Sequence, residues 1–327
     1  MHLQYKPLKI VLIGRGHAAK YCFSALINSR HMGNGYISGV VTEIINPLNK
    51  AVCYTVYNFA KHMKFNALTE DINSVEGLKW LDKIQPDLGI MMGYPKRLTK
   101  EVIDRFSKFI LNIHPSDLPK HRGGFPLHQQ IIQNDPLVIT IHKVDARLDA
   151  GPWTYKTSPL DLSCLTSEEV YGLVKQQATL AMLAILEKIS KYQDLSFYEQ
   201  NELSASYATR VTTTKSLQRI DWNDDIDRIC TIIRAVGTRL GISVSLNTQS
   251  GRKIEAKIHS AYALHMKHDY SPGQLLSYEN GSYQVAAKNG FVIIEDLRCG
   301  RGKSLVLKSC SIDKIEKLGS INKKAVL

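Results

Sequence analysis

KIVLIGRGHAAKYCFSALINS, Lys9 to Ser29, begins as a short apolar run closed by Gly14 and continues into a segment whose apolar residues recur with helical spacing. It reads as a strand feeding a helix. The strand signal returns in YISGVVT, PDLGIMMG, FILNIH and PLVITIHKV, with helical character in SVEGLKWLDKI between the first and second of these runs. Strands alternating with helices predict an α/β fold with an open, mostly parallel sheet and helices on both faces. SEEVYGLVKQQATLAMLAILEKI, Ser167 to Ile189, predicts a long amphipathic helix with Thr166 as its N-cap.

The character of the chain then changes. Tyr198 to Lys215 is polar and rich in Ser and Thr, as a linker would be. IDWNDDIDRICTIIRAV predicts a helix with Ile226, Ile229, Ile233 and Val236 on its apolar face. Beyond it, ISVSLNT, KIEAKIHSAYAL, QLLSY, YQVAA and FVIIEDL are short strands separated by turn signals at Glu279-Asn280-Gly281 and Lys288-Asn289-Gly290. A small β-barrel closes such a chain economically.

A length of 327 residues suggests two domains, and 44% apolar with 22% charged residues fits a globular protein. There is no run of about 18 apolar residues, and the N-terminus passes from a polar start straight into a strand, so a cytoplasmic protein is expected. The six cysteines are scattered without a CxxC pair, which argues against a zinc knuckle or disulfide framework. A net charge of +12 asks for an anionic partner: nucleic acid, a nucleotide diphosphate or a folate polyglutamate. From Lys215 onward 18 Lys and Arg face 11 Asp and Glu, so the last third carries +7 of that excess.

Three constellations bear on chemistry. Gly14-Arg15-Gly16-His17-Ala18-Ala19 has the GxGxxA form of a dinucleotide fingerprint, with Glu43 near the end of the next strand, but such glycines also serve strand-to-helix packing. His114, His121, His128 and His142 raise the question of a metal, yet their spacing matches no ligand pattern, and none is expected. The third lies in FILNIHPSDLPKHRGG, Phe109 to Gly124, where alternation along a strand puts Asn112 and His114 on one face and Leu111 and Ile113 on the other. A downstream acid, Asp149, follows the strand from Leu137 to Val144. An ionised Asp149 beside His114 is expected to favour the imidazolium, and Asn112 with an imidazolium would hold negative charge developing on a carbonyl oxygen. No Ser or Cys stands out as a covalent nucleophile, so direct attack by an amine on an acyl donor is the simplest chemistry. The same residues could also be structural polar groups.

NIHPSDLPKHRGGFPLHQQII, followed after about 35 residues by Asp149-Ala150-Gly151, resembles the folate-dependent formyltransferases, the family that includes methionyl-tRNA, glycinamide ribonucleotide and nucleotide-sugar N-formyltransferases. The resemblance implies a Rossmann-like catalytic domain over residues 1–197, a linker over 198–215 and a C-terminal OB-like β-barrel domain over 216–327. It implies Asn112, His114 and Asp149 as catalytic residues. Met92, Gly93, Tyr94, Val144, Asp145 and Leu148 would wall the folate pocket, and Ser116, Lys120, Arg122 and Gly123 would meet the acceptor. Lys120 and Arg122 are candidates to clamp phosphates, while Ser116 would brace the loop.

The implied donor is 10-formyltetrahydrofolate, with the oxyanion held by Asn112 and a charged His114. Where the tRNA enzymes usually carry Phe-x-Gly-Thr-Pro, this chain has Leu12-Ile13-Gly14-Arg15-Gly16, and TEIINPLNKAVCYTV has little basic character. The loop wording HPSDLPKHRGG is similar to that of enzymes acting on nucleotide-linked amino deoxysugars, whose 4-amino group is therefore the expected acceptor. Initiator tRNA and another small amine, such as a hydroxyornithine, are the alternatives, as is a binding module without activity. No membrane partner is expected, and a homodimer is compatible with the resemblance.

Overall fold

The computed structural model describes residues 7–29, 35–43, 50–191, 194–208, 220–248, 253–279, 282–299 and 315–320. Two compact units result. Met1–Pro126, Pro136–Asp161 and Tyr171–Thr209 make the first, and Leu127–Asp135, Leu162–Val170 and Arg210–Leu327 make the second.

The first unit is built on a seven-stranded sheet. Its strands are β1 (Lys9–Gly14), β2 (Tyr36–Val41), β3 (Ala67–Leu68), β4 (Leu88–Met92), β5 (Phe109–His114), β6 (Thr140–Lys143) and β7 (Trp153–Lys156), in the order β3-β2-β1-β4-β5-β6-β7. β1 to β5 run parallel, as the alternation of strands and helices requires, while β6 and β7 add an antiparallel edge. Every residue of β4 is buried, the condition of a strand covered on both faces. Val11, Ile13, Val41, Leu81, Phe106 and Ile110 belong to the core on one face. β6 is shorter than the run from Leu137 to Val144 that the sequence suggested, because Leu137 pairs outside the sheet, with Leu160.

Helices α1 (Gly16–Asn28), α2 (Lys50–His62), α3 (Val75–Ile84) and α4 (Lys100–Ile103) join these strands, and α5 (Pro126–Gln133) follows β5. Periodicity marks α1 and α3. α2, α4 and α5 lie in stretches where no element was expected. Ser74 caps α3 by accepting the Gly77 N–H at 3.1 Å. In the long α6 (Ser167–Ser190), the Thr166 N–H donates to Glu169 Oε2 at 2.8 Å and the Glu169 N–H to Thr166 Oγ1 at 3.3 Å, a reciprocal capping box. The GxGxxA turn packs closely: a Cβ at Gly14 would stand 2.5 Å from the Met92 carbonyl oxygen and 3.1 Å from Phe23. Glu43, the acid read against that turn, pairs with Lys96 and receives the Tyr94 hydroxyl at 3.4 Å.

The second unit holds α7 (Ile226–Leu240) and the strands β8 (Ile242–Thr248), β9 (Lys253–Leu264), β10 (Leu275–Glu279), β11 (Ser282–Ala287), β12 (Gly290–Cys299) and β13 (Ile315–Ser320). They form an antiparallel sheet in the order β10-β11-β12-β9-β8-β13, curled so that its edge strands β10 and β13 approach, which gives a half-barrel. Register shifts between Ile294 and Leu297 mark a bulge in β12, a device that bends a strand. Ile226, Ile229, Ile233 and Val236 are all buried. The Lys288-Asn289 turn is a two-residue hairpin, and Asn289 Oδ1 also accepts the Ile226 N–H at 3.0 Å. Asn280 and Gly281 of the expected turn and residues 209–215 of the linker fall outside the described residues; residues 198–208 belong to the first unit. Among the described residues no helix is long and apolar enough to cross a membrane.

Gly14→Ala tests the strand-to-helix turn. The added methyl meets backbone rather than a movable side chain, so chemical denaturation should show a loss of about 1–3 kcal/mol.

Candidate active site

β5 ends at the carboxyl edge of the parallel strands, where ligands of such sheets bind. Asn112 and His114 share its polar face and are both buried. The antiparallel partner β6 sets the rest. Its register puts His142 directly opposite Asn112 and Thr140 opposite His114. Cross-strand partners lie side by side on one face, so His142 joins the site through pairing alone. Asn112 Nδ2 donates to His142 Nε2 at 3.1 Å and to Asp149 Oδ1 at 3.2 Å. His142 Nδ1 donates to the Lys143 carbonyl at 3.0 Å, which leaves Nε2 as the acceptor that Asn112 needs.

Asp149 reaches the cluster from the turn after β6, with its backbone in the left-handed region at φ 48°. Its Oδ2 accepts the Gly123 N–H at 2.8 Å and faces His114 Nδ1 at 3.6 Å. Gly123 has φ 112°, a conformation open to glycine alone, and this turns its N–H toward the carboxylate. On the other side of the imidazole, His114 Nε2 donates to the His121 carbonyl at 3.0 Å. Asn112, His114 and Asp149 are therefore brought together, 37 residues apart in sequence at the widest.

Burial by itself would raise the Asp149 carboxyl's pKa, but His114, His142 and the Gly123 N–H outweigh it, and the group lies well below the ordinary carboxylate range. For His114 the balance runs the other way. Complete burial pushes its pKa below the usual value, and Asp149 with the His121 carbonyl offsets this only in part. Burial therefore works against the imidazolium that the adjacent carboxylate was expected to favour, while the two ring nitrogens face the Asp149 carboxylate and the His121 carbonyl. The sequence showed the carboxylate but not the depth of burial that opposes it.

The remaining candidates divide. Ser116 is fully buried, and its hydroxyl donates to the Lys120 carbonyl at 2.7 Å, across the loop. Lys120 is exposed, whereas Arg122 is turned inward at 1% exposure. Its guanidinium meets Gln200 Oε1 at 2.8 Å and both Glu202 oxygens at 2.9 and 3.0 Å. It offers no free fork for a phosphate, contrary to the clamp expected of it. Met92 ends β4, and Met91 pairs with Asn112 across the sheet, so the Met92-Gly93-Tyr94 turn lies at the same carboxyl edge. Tyr94 and Val144 pack into the core; Asp145 is held by Arg147 at 2.7 Å, and Leu148 is half-buried.

Two residues of the site escaped sequence reasoning. His142 had a signal in the alternation of ITIHK, which places it on the face of Thr140, but its partner depended on register. Gln200, whose side-chain amide donates to the Asp149 carbonyl at 2.9 Å, had none.

A doubly wound sheet with an antiparallel edge and a buried Asn, His and Asp at its carboxyl ends defines an α/β enzyme with a second, antiparallel unit. Residues 8–186 match the formyl transferase family and residues 213–310 match the formyl transferase C-terminal domain. The chain belongs to the formyl transferase family and is a formyl-transferring enzyme. Its relatives include the methionyl-tRNA formyltransferase of Pseudothermotoga lettingae, 24% identical over 89% of this chain and 91% of the relative. That of Marinobacter nauticus is 30% identical over 66% and 67%. Among solved structures, the sugar 3N-formyl transferase WlaRD, crystallised with dTDP and 5-N-formyl-THF, superposes with a TM-score of 0.66 at 16% identity, covering 91% of this chain and all of that one. The Helicobacter canadensis N-formyltransferase, in complex with folinic acid and dTDP-3-aminofucose, gives 0.64 at 16% identity over 88% and 98%.

The His114 ring sets a pH dependence. Its folded pKa lies below the unfolded value of about 6.5, so the unfolded chain takes the proton first, and stability falls as pH drops through that value toward the folded one. Urea unfolding of the wild type between about pH 7.5 and pH 5 should lose stability, and His114→Gln should flatten the slope.

Proposed function

We propose that this enzyme moves the formyl group of 10-formyltetrahydrofolate to the 4-amino group of a nucleotide-linked amino deoxysugar. The observation that carries the chemistry is the convergence of Asn112, His114 and Asp149 on one buried point, with no covalent nucleophile among them. The folate complexes of the structural relatives support the donor, and Met92, Gly93, Tyr94, Val144, Asp145 and Leu148 are its assigned wall. The dTDP and dTDP-3-aminofucose complexes support a nucleotide-linked amino sugar as the class of acceptor, which Lys120 and Gly123 would approach.

The amine's lone pair attacks the formyl carbon, and the tetrahedral carbon's oxygen becomes anionic. In its neutral form, which burial favours, His114 takes up the amine's surplus proton and becomes an imidazolium supported by Asp149 as the negative charge develops. That charge and an Asn112 N–H stabilise the oxyanion. Asn112 starts with its amide hydrogens on His142 and Asp149; proton uptake by the His114 and Asp149 pair weakens the carboxylate's hold on the amide. Collapse then breaks the bond to the folate nitrogen, which leaves with the electron pair and receives the proton.

A tRNA acceptor is the second reading. It is favoured by the methionyl-tRNA formyltransferases among the sequence relatives and by the basic last third of the chain. Tetrahydrofolate release from 10-formyltetrahydrofolate, measured against dTDP-, UDP- and GDP-linked 4-amino sugars and charged initiator tRNA, separates the two. A sugar substrate predicts weak salt dependence of kcat/KM, whereas tRNA predicts a steep fall reflecting several phosphate contacts. With the productive acceptor, Asn112→Ala and Asp149→Asn should each lower kcat on the order of 100-fold or more; wild-type turnover in either would remove it from the mechanism.

A further inference from the structure

Residues 198–208 carry a polar composition, yet they run along the active-site loops as a strap. Tyr198 and Trp153 exchange backbone hydrogen bonds at 2.9 and 2.8 Å. At the far end the Arg122 N–H donates to the Ser206 carbonyl at 2.9 Å, and the Ala208 N–H donates to the Arg122 carbonyl at 2.8 Å. Between these fixed ends hangs Gln200, buried at 8% exposure. Its Nε2 donates to the Asp149 carbonyl at 2.9 Å and to the Gly151 carbonyl at 2.7 Å, one carbonyl on each side of Ala150. Its Oε1 accepts Arg122 Nε at 3.2 Å and Nη2 at 2.8 Å. Glu202 grips the outer edge of the same guanidinium, which fixes the anchor that holds the amide.

Only a side chain with two donors and an acceptor at this reach satisfies both carbonyls and the guanidinium at once. Glutamate has no donor to give the carbonyls, and leucine serves neither end. The turn it braces needs support, because a non-glycine residue with φ 48° persists only where its surroundings over-determine it. The carboxylate on that turn must reach Asn112, Gly123 and His114 simultaneously.

We propose that Gln200 is a positioning residue for formyl transfer: its amide, anchored on the buried Arg122, fixes the left-handed turn at Asp149 and so sets the carboxylate against His114 and Asn112. The inference rests on the formyl-transfer reading only for its kinetic consequence, since the placement of Asp149 has its own observable. His114 is faced by Asp149, the His121 carbonyl and the imidazoles of His142 and His121; Asp149 raises its pKa most, the His121 carbonyl raises it less, and the two imidazoles lower it.

The test uses the full chain with Gln200→Leu and Gln200→Glu, the latter keeping the side-chain volume and the acceptor for Arg122 while losing both donors. Two quantities are read: kcat and KM with the productive acceptor, and the His114 titration midpoint by NMR of histidine-labelled protein. A carboxylate displaced by about 1 Å should lower kcat about 10- to 100-fold, with KM for both substrates changed by less than about 3-fold. The His114 midpoint should move further down in both variants. Should Gln200→Leu fail to fold, Gln200→Glu decides. Wild-type kcat in a folded variant, or a reduced kcat with the His114 midpoint unmoved, would overturn the positioning role. A wild-type protein that transfers no formyl group would sink the functional reading instead, and the NMR midpoint would still decide the role of Gln200.

Discussion

The buried carboxylate of Asp149 is the constraint around which the first unit's chemistry is organised. A carboxylate taken out of water either neutralises or finds partners, and this one accepts from the Asn112 amide and the Gly123 N–H with the imidazoles of His114 and His142 beside it. Three devices deliver these groups. Asn112 and His114 come from strand alternation, His142 from antiparallel register, and Gly123 from a glycine-only backbone. Because these partners hold the carboxyl well below the ordinary range, it stays ionised at any physiological pH. His114 is then the group left to change its charge.

That division of labour explains the choice of scaffold. A parallel sheet delivers strand ends to one edge, and β5 supplies two polar groups there. The antiparallel β6, reached after the loop and α5, lies beside β5 and carries His142 and, in the turn beyond it, Asp149. The doubly wound core fixes the strands rigidly while the loops hold the reacting groups, the arrangement on which family members with different acceptors can be built. Transfer to an amine then needs electrostatic holding and proton uptake rather than a nucleophile.

Legibility followed the range of the interactions. The parallel sheet, α1, α3, α6 and α7 could be read because periodicity and capping are local; the Thr166 and Glu169 box is four residues long. The chemistry of Asn112 and His114 was equally readable, since both lie in one strand. Arg122 was misread as a phosphate clamp because nothing in HPSDLPKHRGG announces Gln200 or Glu202, about 80 residues further on. The polar stretch after Tyr198 looked like part of a linker for the same reason: most of its polar side chains do face water, and the buried Gln200 finds its partners at Arg122, Asp149 and Gly151, remote in the chain.

The amino-acid sequence by itself determined which residues could do chemistry and which faces they occupy, because side-chain type and a period of two residues are written in the chain. Tertiary structure alone decided what each group became. Register put His142 against Asn112, burial worked against a charged His114 despite an adjacent carboxylate, and a distant glutamine took hold of the turn that presents Asp149. The physical reason is common to all three: desolvation and hydrogen-bond partnership are properties of the space around a group, and that space is filled by residues remote in the chain.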